Sequence, residues 1–257
     1  MISMDQWAYV NKFSKIHPFE KFLVAIVTMF LVLLWDKPVF QVSILIIMGI
    51  GTVLGAGIPF KVYIKYMTIP LLFIFITLLS VLLEVHTVNK DFLFTIEIFH
   101  VFIGISKESI GVAIALFFRS TATLTCLYFL AMTTSMQELI YLLEKFHCPS
   151  IVTELMVLTY RFIFVFLKTA RTIYYAQSTR LGYNGFVRSL KSLSILSSVL
   201  FIKAYMQAKA LNQATLSRGY QGTFYQLNTE RTLNKRRLII IIAVEIGLFI
   251  IGGISPK

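Results

Sequence analysis

The stretch VSILIIMGIGTVLGAGIPF, residues Val42–Phe60, decides the fold because it is almost wholly apolar and carries no charged side chain. A helix that crosses the hydrocarbon core of a bilayer needs about 20 such residues. Gly51 and Gly55 form a small-xxx-small pair, a spacing that lets helix backbones approach closely in lipid. We therefore predict a membrane helix whose glycines pack against another helix of this chain or offer a smooth surface to a second membrane subunit.

The whole chain has the composition of a membrane protein. Of its 257 residues, 57% are hydrophobic and only 14% are charged, and the mean hydropathy is +0.79. A soluble chain of this length needs a far larger polar surface. We predict an all-α integral membrane protein with about five transmembrane helices, at its apolar segments 22–35, 40–58, 67–85, 109–132 and 237–254.

The first apolar segment, of 14 residues, is shorter than a membrane helix requires. It would need Lys21 to extend its amine toward the headgroups, or the helix to sit shallowly. If all five segments cross, the N-terminus lies inside and the C-terminus outside. The polar N-terminal residues predict no cleavable signal peptide, and Cys126 and Cys148 are expected to be free thiols.

Positive charge is concentrated in one region. The formal net charge is +12, and residues 135–237 hold 14 Lys and Arg against 4 Asp and Glu. Lys and Arg accumulate on the cytoplasmic side of membrane proteins, so we predict that this region is cytoplasmic and contacts anionic lipid headgroups rather than nucleic acid. The predicted division is an N-terminal membrane domain, a cytoplasmic coupling-helix region and a C-terminal membrane helix: 1–134, 135–235 and 236–257.

Two long amphipathic helices are predicted in the cytoplasmic region. A short helix precedes them, and it opens with Thr and Ser capping residues followed by Glu138. Residues 150–179 contain no glycine or proline, and a second run extends from about 187 to 217. Each run has an apolar stripe beside charged positions, so we expect the two helices to lie against one another and against the cytoplasmic face of the membrane.

The segment between the third and fourth apolar stretches favours strands. Residues 92–98 alternate with a period of two, so we expect a short external β-hairpin there. His86 and His100 lie in the same segment, far apart and without a Cys, His and Asp cluster. We interpret them as structural rather than as metal ligands.

Catalytic and nucleotide-binding motifs are absent from the sequence. It has no H-E-x-x-H, G-x-S-x-G or C-x-x-C pattern, and no glycine-rich phosphate loop followed by Lys and Ser or Thr. Arg119 and Glu245 are the deep charges of the apolar segments, and such charges are functional candidates. Two isolated charges make a poor ion relay, so we interpret both as helix-pairing residues or as part of a wet interface.

One charged signature occurs twice. Ala176–Gly185 reads AQSTRLGYNG and Ala214–Gly222 reads ATLSRGYQG, and each ends a long helical run. A helix C-terminus favours an arginine followed by a left-handed glycine. Two copies also favour binding, because an arginine at a helix tip pairs bidentately with a carboxylate of another protein. Arg180 and Arg218 would then engage two identical partners, or the two halves of a dimer.

These residues resemble the T component of energy-coupling factor (ECF) transporters, and most closely its cobalt-transport branch, the CbiQ family. The resemblance covers nearly the whole chain, from DQWAYVNKFSKIHPFEKF near the N-terminus to both arginine motifs. The second motif, Ser-Arg-Gly, matches the family's Ala-Arg-Gly pattern with serine for alanine, whereas the first, Thr-Arg-Leu, keeps only the arginine. The resemblance implies an ATPase-docking role for both triplets: Thr179, Arg180, Leu181, Ser217, Arg218 and Gly219.

The resemblance also implies a complex. Such T components hold two cytoplasmic ABC-type ATPases, CbiO-like in this branch, and a substrate-capturing CbiM-like membrane subunit, with a small CbiN-like subunit. ATP binding closes the ATPase pair, and the motion passes through the helix tips to the substrate subunit. The chain itself would be a multi-pass scaffold of the inner (plasma) membrane that is not an enzyme and binds no metal or cofactor.

The expected cargo is a divalent transition metal, taken to be cobalt, with nickel left open because another subunit would select it. The general T component shared by vitamin-capturing subunits is the nearest alternative, and the His-Pro-led N-terminus favours the cobalt branch. From other classes, a membrane-embedded enzyme would need a catalytic set, and a self-sufficient carrier would need a polar path through the spans.

Overall fold

The computed structural model describes residues 4–86, 92–98, 101–220 and 233–254, and most of them are helical. The predicted all-α membrane class is therefore confirmed. The chain divides into two compact units. Unit 1 comprises Met1–Glu138 and Glu230–Lys257, and unit 2 comprises Leu139–Thr229.

The helices follow one another through both units. Their bounds are α1 Met4–Val10, α2 Pro18–Leu34, α3 Pro38–Ile50, α4 Phe60–Leu82, α5 Lys107–Thr133, α6 Met136–Lys145, α7 Ser150–Ser178, α8 Phe186–Ser217 and α9 Lys235–Ile254. Proline at the first position starts α2 and α3, where a helix has no use for the missing N–H group.

Four described helices are long and apolar enough to cross a membrane: Pro38–Gly55, Phe60–Leu82, Ser109–Thr133 and Ser150–Ser178. The first three coincide with predicted spans, and the fourth is α7, in the region predicted to be cytoplasmic. The first and last predicted segments form α2, of 17 residues, and α9, of 20 residues. The number of five crossings stays a prediction.

α5 is the central helix of unit 1. It packs against α1, α2, α3 and α4, and its buried side chains include Ala122, Cys126 and Phe129. The residues of α2 and α3 in the same core are apolar and nearly inaccessible: Ala25, Leu31, Val32, Phe40, Ile44 and Met48. Large apolar side chains on the outer faces of these helices are exposed, as expected for a surface that contacts lipid.

The two glycines predicted to pack lie in a π-helical turn, Gly51–Gly55, that continues α3. A Cβ at Gly55 would lie 2.7 Å from Cζ of Phe13, whereas one at Gly51 would lie 4.0 Å from the ring of Phe129. The close neighbour of Gly55 is therefore an aromatic ring of this chain. Use of the same face by a second membrane subunit stays a prediction.

α2 and α9 run side by side in the same direction. At their N-terminal ends, Nε of Arg237 lies 3.9 Å from Oε2 of Glu20. At their C-terminal ends, Lys37, just beyond α2, donates to the carbonyl oxygen of Gly253 at 3.1 Å. The two helices therefore extend through the same depth of unit 1.

Lys21 does not extend toward lipid headgroups, so this one of the two alternatives for the short first segment is wrong, and a shallow position of the helix stays a prediction. The Lys21 side chain is 2% exposed. Nζ donates to the carbonyl oxygen of Thr133 at 2.8 Å and to Oε2 of Glu138 at 2.7 Å. A buried carboxylate group from a distant part of the chain thus takes the place of headgroups and water around the amine.

The two deep charges have different surroundings. Arg119 of α5 donates to the carbonyl oxygen of Leu33 and pairs with Asp36, both at 2.7 Å. It is therefore a helix-pairing residue that joins α5 to the C-terminal end of α2. Glu245 of α9 is 7% exposed, and its Oε2 has no hydrogen-bond partner among the described residues. It lines a cavity of about 340 Å³ between α2 and α9.

A small antiparallel sheet stands between α4 and α5. Its strands are β1 Glu84–His86, β2 Phe92–Ile98 and β3 Val101–Ser106, in the order β1-β3-β2. β2 is the strand that the alternation predicts, and it forms a hairpin with β3, in which Ile96 is opposite Ile103. β1 adds a third strand that the sequence did not predict, and His100 lies outside the described residues.

Candidate partner-docking site

Unit 2 is built on an antiparallel pair of helices. α7 has 29 residues and α8 has 32, which confirms the two long helices predicted from the uninterrupted runs. Near the end of α7, the Gln177 amide donates to the carbonyl oxygen of Ser192 in α8 at 3.1 Å. At the other end, the Tyr220 hydroxyl, just beyond α8, donates to Glu154 of α7 at 2.7 Å. The pair is therefore joined at both ends.

The first arginine end is a Schellman-type turn that closes α7. The N–H of Gly182 donates to the carbonyl oxygen of Gln177 at 2.9 Å, and the N–H of Leu181 donates to that of Ser178 at 3.0 Å. Leu181 has a φ of 57°, so it takes the left-handed conformation that usually falls to glycine. Arg180 is the residue immediately before it.

The second arginine end repeats this geometry after α8. The N–H of Tyr220 donates to the carbonyl oxygen of Thr215 at 3.1 Å, and the N–H of Gly219 donates to that of Leu216 at 3.0 Å. Gly219 has a φ of 76°, and Arg218 comes immediately before it. The two arginines therefore occupy the same position in two equivalent turns.

The ends differ in the residue that is left-handed. The sequence predicted glycine at this position in both copies, which is correct for Gly219 and wrong for the first end, where Leu181 precedes the glycine. The reason is close packing around Gly182. A Cβ there would lie 2.8 Å from Oγ of Ser192 and 2.9 Å from the carbonyl oxygen of Gln177. Glycine is thus required one residue later, beside α8.

All six residues predicted to dock ATPases are exposed, namely Thr179, Arg180, Leu181, Ser217, Arg218 and Gly219. Leu181 is 65% exposed, although a left-handed backbone costs a residue with a side chain about 1–2 kcal/mol. Backbone strain in an exposed apolar residue is typical of a binding surface. Within the part of the chain that the structure describes, neither Arg180 nor Arg218 forms an ion pair.

Each arginine end is held by the tyrosine that follows it, a role that the sequence analysis missed. The Tyr183 hydroxyl donates to Oε1 of Gln177 at 2.8 Å, and its ring centroid lies 4.7 Å from that of Tyr174. The Tyr220 hydroxyl donates to Oε2 of Glu154. Both acceptors belong to α7, one near each end, so α7 supports both arginine ends. The tyrosine repeated in both copies of the motif was the available signal.

The bond between Tyr220 and Glu154 persists at physiological pH. Because the Glu154 side chain accepts the phenolic proton, the pKa of Tyr220 is raised above its ordinary value of 10.0. A raised pKa means that the folded chain favours the protonated phenol. The contribution of this bond is therefore complete from neutral pH up to 10.0 and is lost as the pH rises through the raised value.

Unit 2 also exposes much apolar surface. Several large side chains of α7 and α8 are more than half exposed, namely Leu155, Tyr175, Phe186, Val187, Phe201, Ile202, Tyr205 and Met206. An apolar cleft of about 480 Å³ lies between the two helices, beside Phe162, Phe166 and Leu200. Exposed apolar surface on this scale marks contact with lipid or with another protein.

Among the residues that the structure describes, no group of three or more His, Cys, Asp or Glu side chains could hold a metal ion. His17 instead has a structural role, since its Nδ1 accepts the N–H of Phe19 at 3.1 Å and caps α2. Cys126 and Cys148 are free thiols, as predicted.

The chain is similar to known transport proteins over most of its length. Residues 10–229, which include both arginine ends, match the family CbiQ, described as cobalt transport protein. The cobalt transport protein CbiQ of Salmonella typhimurium is 29% identical over 225 residues, which cover 88% of this chain and 100% of that protein. An uncharacterized protein of Methanocaldococcus jannaschii is 29% identical over 252 residues, or 98% of this chain and 93% of that protein. A protein of Methanocorpusculum labreanum, named as a fused cobalt transport protein CbiMQ, is 28% identical over 250 residues, or 95% of this chain and 41% of that protein.

Proposed function

Because the chain belongs to the CbiQ family of cobalt transport proteins, we propose that it is the T subunit of an ECF transporter. In this role it is a non-catalytic membrane scaffold that couples ATP hydrolysis by two cytoplasmic ATPases to metal uptake by a separate membrane subunit. One observation carries the proposal. Arg180 and Arg218 are exposed in two equivalent turns, at opposite ends of one helix pair.

Two equivalent ends favour two equivalent partners. At 1.5 Å per residue, the 32 residues of α8 place its ends about 48 Å apart, which leaves room for one ATPase subunit at each arginine. A guanidinium group binds a carboxylate through two parallel hydrogen bonds, which a lysine cannot do. Each ATPase therefore presents a groove with an acidic residue, and closure of the ATPase pair on ATP binding displaces the two helix ends.

This role requires both ends on the cytoplasmic side of the membrane. α7 is apolar enough to cross, but it is joined to α8 near both of its ends. α8 carries exposed charges along its length: Arg188, Lys191, Lys203 and Lys209. A charged side chain at the bilayer centre costs at least about 2.5–3.5 kcal/mol. The helix pair therefore lies along the cytoplasmic face rather than across the membrane.

The apolar surface of unit 2 is assigned to the membrane and to the metal-capturing subunit. Side chains such as Phe201 and Tyr205 project from α8 with most of their surface exposed. A relative whose name joins CbiM and CbiQ in one chain supports a CbiM-like partner, with a small CbiN-like subunit beside it. The cargo is cobalt, and nickel would use the same scaffold, because the capturing subunit selects the metal.

Co-purification tests the proposal. The full chain is expressed with a CbiO-like ATPase and a CbiM-like subunit, and the recovered chains are identified by mass spectrometry. We expect two ATPase chains per T subunit and ATP-dependent uptake of Co²⁺ into proteoliposomes. Purified alone, the chain should hydrolyse no ATP and bind neither Co²⁺ nor Ni²⁺ tightly in calorimetry. Failure of the chain to recover any ATPase would exclude the T-subunit role, and tight metal binding by the isolated chain would contradict its role as a scaffold.

A further inference from the structure

α2 and α9 of unit 1 meet at both ends but leave a groove between them halfway along. At one end, Arg237 faces Glu20 at 3.9 Å. At the other end, the ring centroids of Trp35 and Phe249 lie 5.8 Å apart, and a Cβ at Gly252 would lie 2.8 Å from Cδ1 of Trp35. Between these contacts lies the cavity of about 340 Å³. The two helices are thus closely packed at their ends and separated in the middle.

The groove is apolar except for one carboxylate group. α2 contributes three apolar residues, one in each turn from Leu23 to Leu31, and α9 contributes Ile242, Ile246 and Phe249 beside Glu245. The three apolar residues of α9 are about half exposed, so the groove opens toward the surroundings of unit 1. At 1.5 Å per residue, its length along α2 is about 12 Å, or two helical turns.

Glu245 is the residue of the groove that contact with lipid chains does not explain. It is 7% exposed, and its Oε2 has no hydrogen-bond partner among the described residues. No other charged side chain occurs in residues 238–254. The single polar residue in positions 22–34 of α2 is Thr28, whose hydroxyl donates to the carbonyl oxygen of Val24. α2 and α9 thus provide no group that neutralises this carboxylate.

The depth of Glu245 excludes small occupants that could satisfy it. Glu245 lies ten residues after the first residue of α9 and nine before the last, which is about 15 Å from either end. α9 is the last predicted membrane helix, so this position is at the centre of a hydrocarbon core about 30 Å thick. Lipid headgroups do not reach that depth, and acyl chains have no hydrogen-bond donor. A buried water forms about three hydrogen bonds, whereas the groove offers one polar side chain.

A second copy of the chain does not fit the groove either. Apart from Arg237 at the start of α9, the predicted membrane segments contain a single basic residue, Arg119. Arg119 already pairs with Asp36 at 2.7 Å, at the C-terminal end of α2. The donor that Glu245 requires at the centre of the membrane therefore comes from a different membrane protein.

We propose that this groove binds a transmembrane helix of the metal-capturing subunit, and that a lysine or arginine of that helix pairs with Glu245. The identity of the partner rests on the proposed function, in which a separate membrane subunit captures the metal. Ionisable side chains inside a membrane pair with one another. A neutral donor would be matched by glutamine at a lower desolvation cost, so a glutamate favours a basic partner. The apolar walls of the groove then receive the neighbouring side chains of the same helix.

Photo-crosslinking in the assembled complex tests the position of the partner. The full chain, with benzoylphenylalanine at Ile246, is co-expressed with a CbiO-like ATPase and a CbiM-like subunit, and the membranes are irradiated. We expect an adduct with a transmembrane helix of the CbiM-like subunit, in which mass spectrometry finds a lysine or arginine within about one turn of the crosslinked residue. The matched control is Val244, which is exposed at nearly the same depth but does not line the groove. The probe at Val244 should give far less of this adduct.

Glu245→Gln tests the charge, because it keeps the volume of the side chain and its capacity for hydrogen bonds. Recovery of the CbiM-like subunit in a titrated pull-down should fall by about 10- to 300-fold, since the basic residue of the partner is then unpaired in the membrane. ATPase recovery should stay at the wild-type level, because the arginine ends belong to unit 2.

Two further variants keep the charge and should retain the interaction. Glu245→Asp should preserve most of the recovery of the CbiM-like subunit, which also keeps the inference testable if Glu245→Gln inserts poorly. Glu245→Lys alone should bind worse than Glu245→Gln, because like charges then meet. Glu245→Lys combined with a glutamate in place of the partner's basic residue should restore recovery.

The control for loss of a deep charge is the ion pair within the chain between Arg119 and Asp36. Arg119→Gln with Asp36→Asn should leave recovery of the CbiM-like subunit unchanged. Adducts with lipid or with a second copy alone, a crosslinked helix without a basic residue, or unchanged recovery with Glu245→Gln would each overturn this inference while ATPase recovery persists. A wild-type chain that recovers neither the ATPase nor the CbiM-like subunit overturns the proposed function and this inference with it.

Discussion

The two arginine ends of unit 2 share one backbone geometry but differ in the residue at its most demanding position. At the first end the left-handed residue is Leu181, which is 65% exposed, and at the second it is Gly219. A helix cap alone favours glycine at both positions, because glycine has no Cβ to strain. The leucine therefore indicates a second role at the first end besides capping, and contact with an ATPase would account for it.

The supports of the two ends differ as well. Tyr183 donates to the neutral side chain of Gln177, whereas Tyr220 donates to the carboxylate group of Glu154. A hydrogen bond to a charged acceptor is about twice as strong as a neutral one. The tyrosine of the first end thus forms a neutral bond, and the tyrosine of the second end forms a stronger, charged one. What the two ends have in common is the position of the arginine.

The result that would most strongly contradict this comparison is a finding that the two arginine ends lie on opposite sides of the membrane. Single cysteines at Asn184 and Asn212, both exposed, are introduced after alanine has replaced Cys126 and Cys148. In intact cells an impermeant maleimide should label neither position, and in permeabilised cells it should label both, while a cysteine at Asp91 should react from outside. If α7 crosses the membrane, one of the two ends is labelled in intact cells. That result would exclude docking to two cytoplasmic ATPases.

Loss of the arginines is the next largest effect. Arg218→Ala should weaken ATPase binding by about 2–5 kcal/mol, which is about 30- to 4,000-fold, at an unchanged membrane level. Arg218→Lys should recover only part of this, and Arg218→Glu should be worse than alanine because like charges then meet. Arg180 variants should follow the same order, and the double replacement should abolish transport. The measurement is ATPase recovery in a titrated pull-down.

Arg188 provides the matched control, since it is exposed on α8 but lies outside both turns. Arg188→Ala should leave ATPase recovery close to that of the wild type. A helix-capping role for Arg218 predicts a loss of stability of at most about 1 kcal/mol and no selective loss of ATPase. Equal recovery with the wild type and with the double arginine variant would therefore rule out the docking role.

The long helices could be predicted because their signals are local. The runs that form α7 and α8 contain no glycine or proline, and the cap of α6 involves residues three positions apart. α4 was predicted to begin later than it does, because Lys61 and Lys65 in its first turns are charged but helical. Charge marks where lipid contact ends, and a helix often continues beyond that point.

The supports of the site depend on residues that are distant in sequence. Tyr220 and its acceptor Glu154 are 66 residues apart, and Lys21 and Glu138 are 117 residues apart. Repetition revealed the arginines and the tyrosines, but no local pattern specifies the acceptor of either tyrosine. The left-handed Leu181 was missed because the glycine of this copy stands one residue later, where it packs against the distant Ser192.

Removal of the two tyrosine hydroxyl groups should reveal the difference between the hydrogen bonds that hold the two arginine ends. Tyr183→Phe removes one neutral hydrogen bond, worth about 0.5–1.5 kcal/mol, and keeps the ring beside Tyr174. Tyr220→Phe should weaken ATPase binding more, because its acceptor is a carboxylate. Thermal unfolding and ATPase titration measure the two effects. If Tyr183→Phe lowers stability and ATPase affinity as much as Tyr220→Phe or more, the bond to Glu154 is not the stronger of the two.

The effect of Tyr220→Phe on the stability of the folded chain should depend on pH in a defined way. Because the pKa of folded Tyr220 lies above 10.0, the stability difference between the wild type and Tyr220→Phe should be constant from neutral pH up to that value. It should shrink as the pH rises through the raised pKa, where the phenol loses its proton. Thermal unfolding over a pH series measures the difference, and a decline at neutral pH would show that the bond to Glu154 does not hold this end.

The smallest expected effect distinguishes backbone strain at Leu181 from a contact between Leu181 and an ATPase. Leu181→Gly removes a left-handed leucine, which costs about 1–2 kcal/mol, and adds the chain entropy of glycine, which opposes folding by about 0.5–1 kcal/mol. The net expectation is a stabilisation of up to about 1.5 kcal/mol. The same change removes an exposed apolar side chain from the proposed ATPase contact. Stability should therefore rise in thermal unfolding while ATPase affinity falls.

Gly219→Leu is the matched control, because it gives the second end the residue of the first. A Cβ at Gly219 meets nothing within 4 Å, so the cost arises from the backbone alone and should lower stability by about 1 kcal/mol. Arg218 keeps its position in the turn, so ATPase binding should persist. If Leu181→Gly raises stability and leaves ATPase affinity unchanged, the leucine does not contact the ATPase. If it lowers stability instead, the left-handed leucine is not the strained residue that its φ indicates.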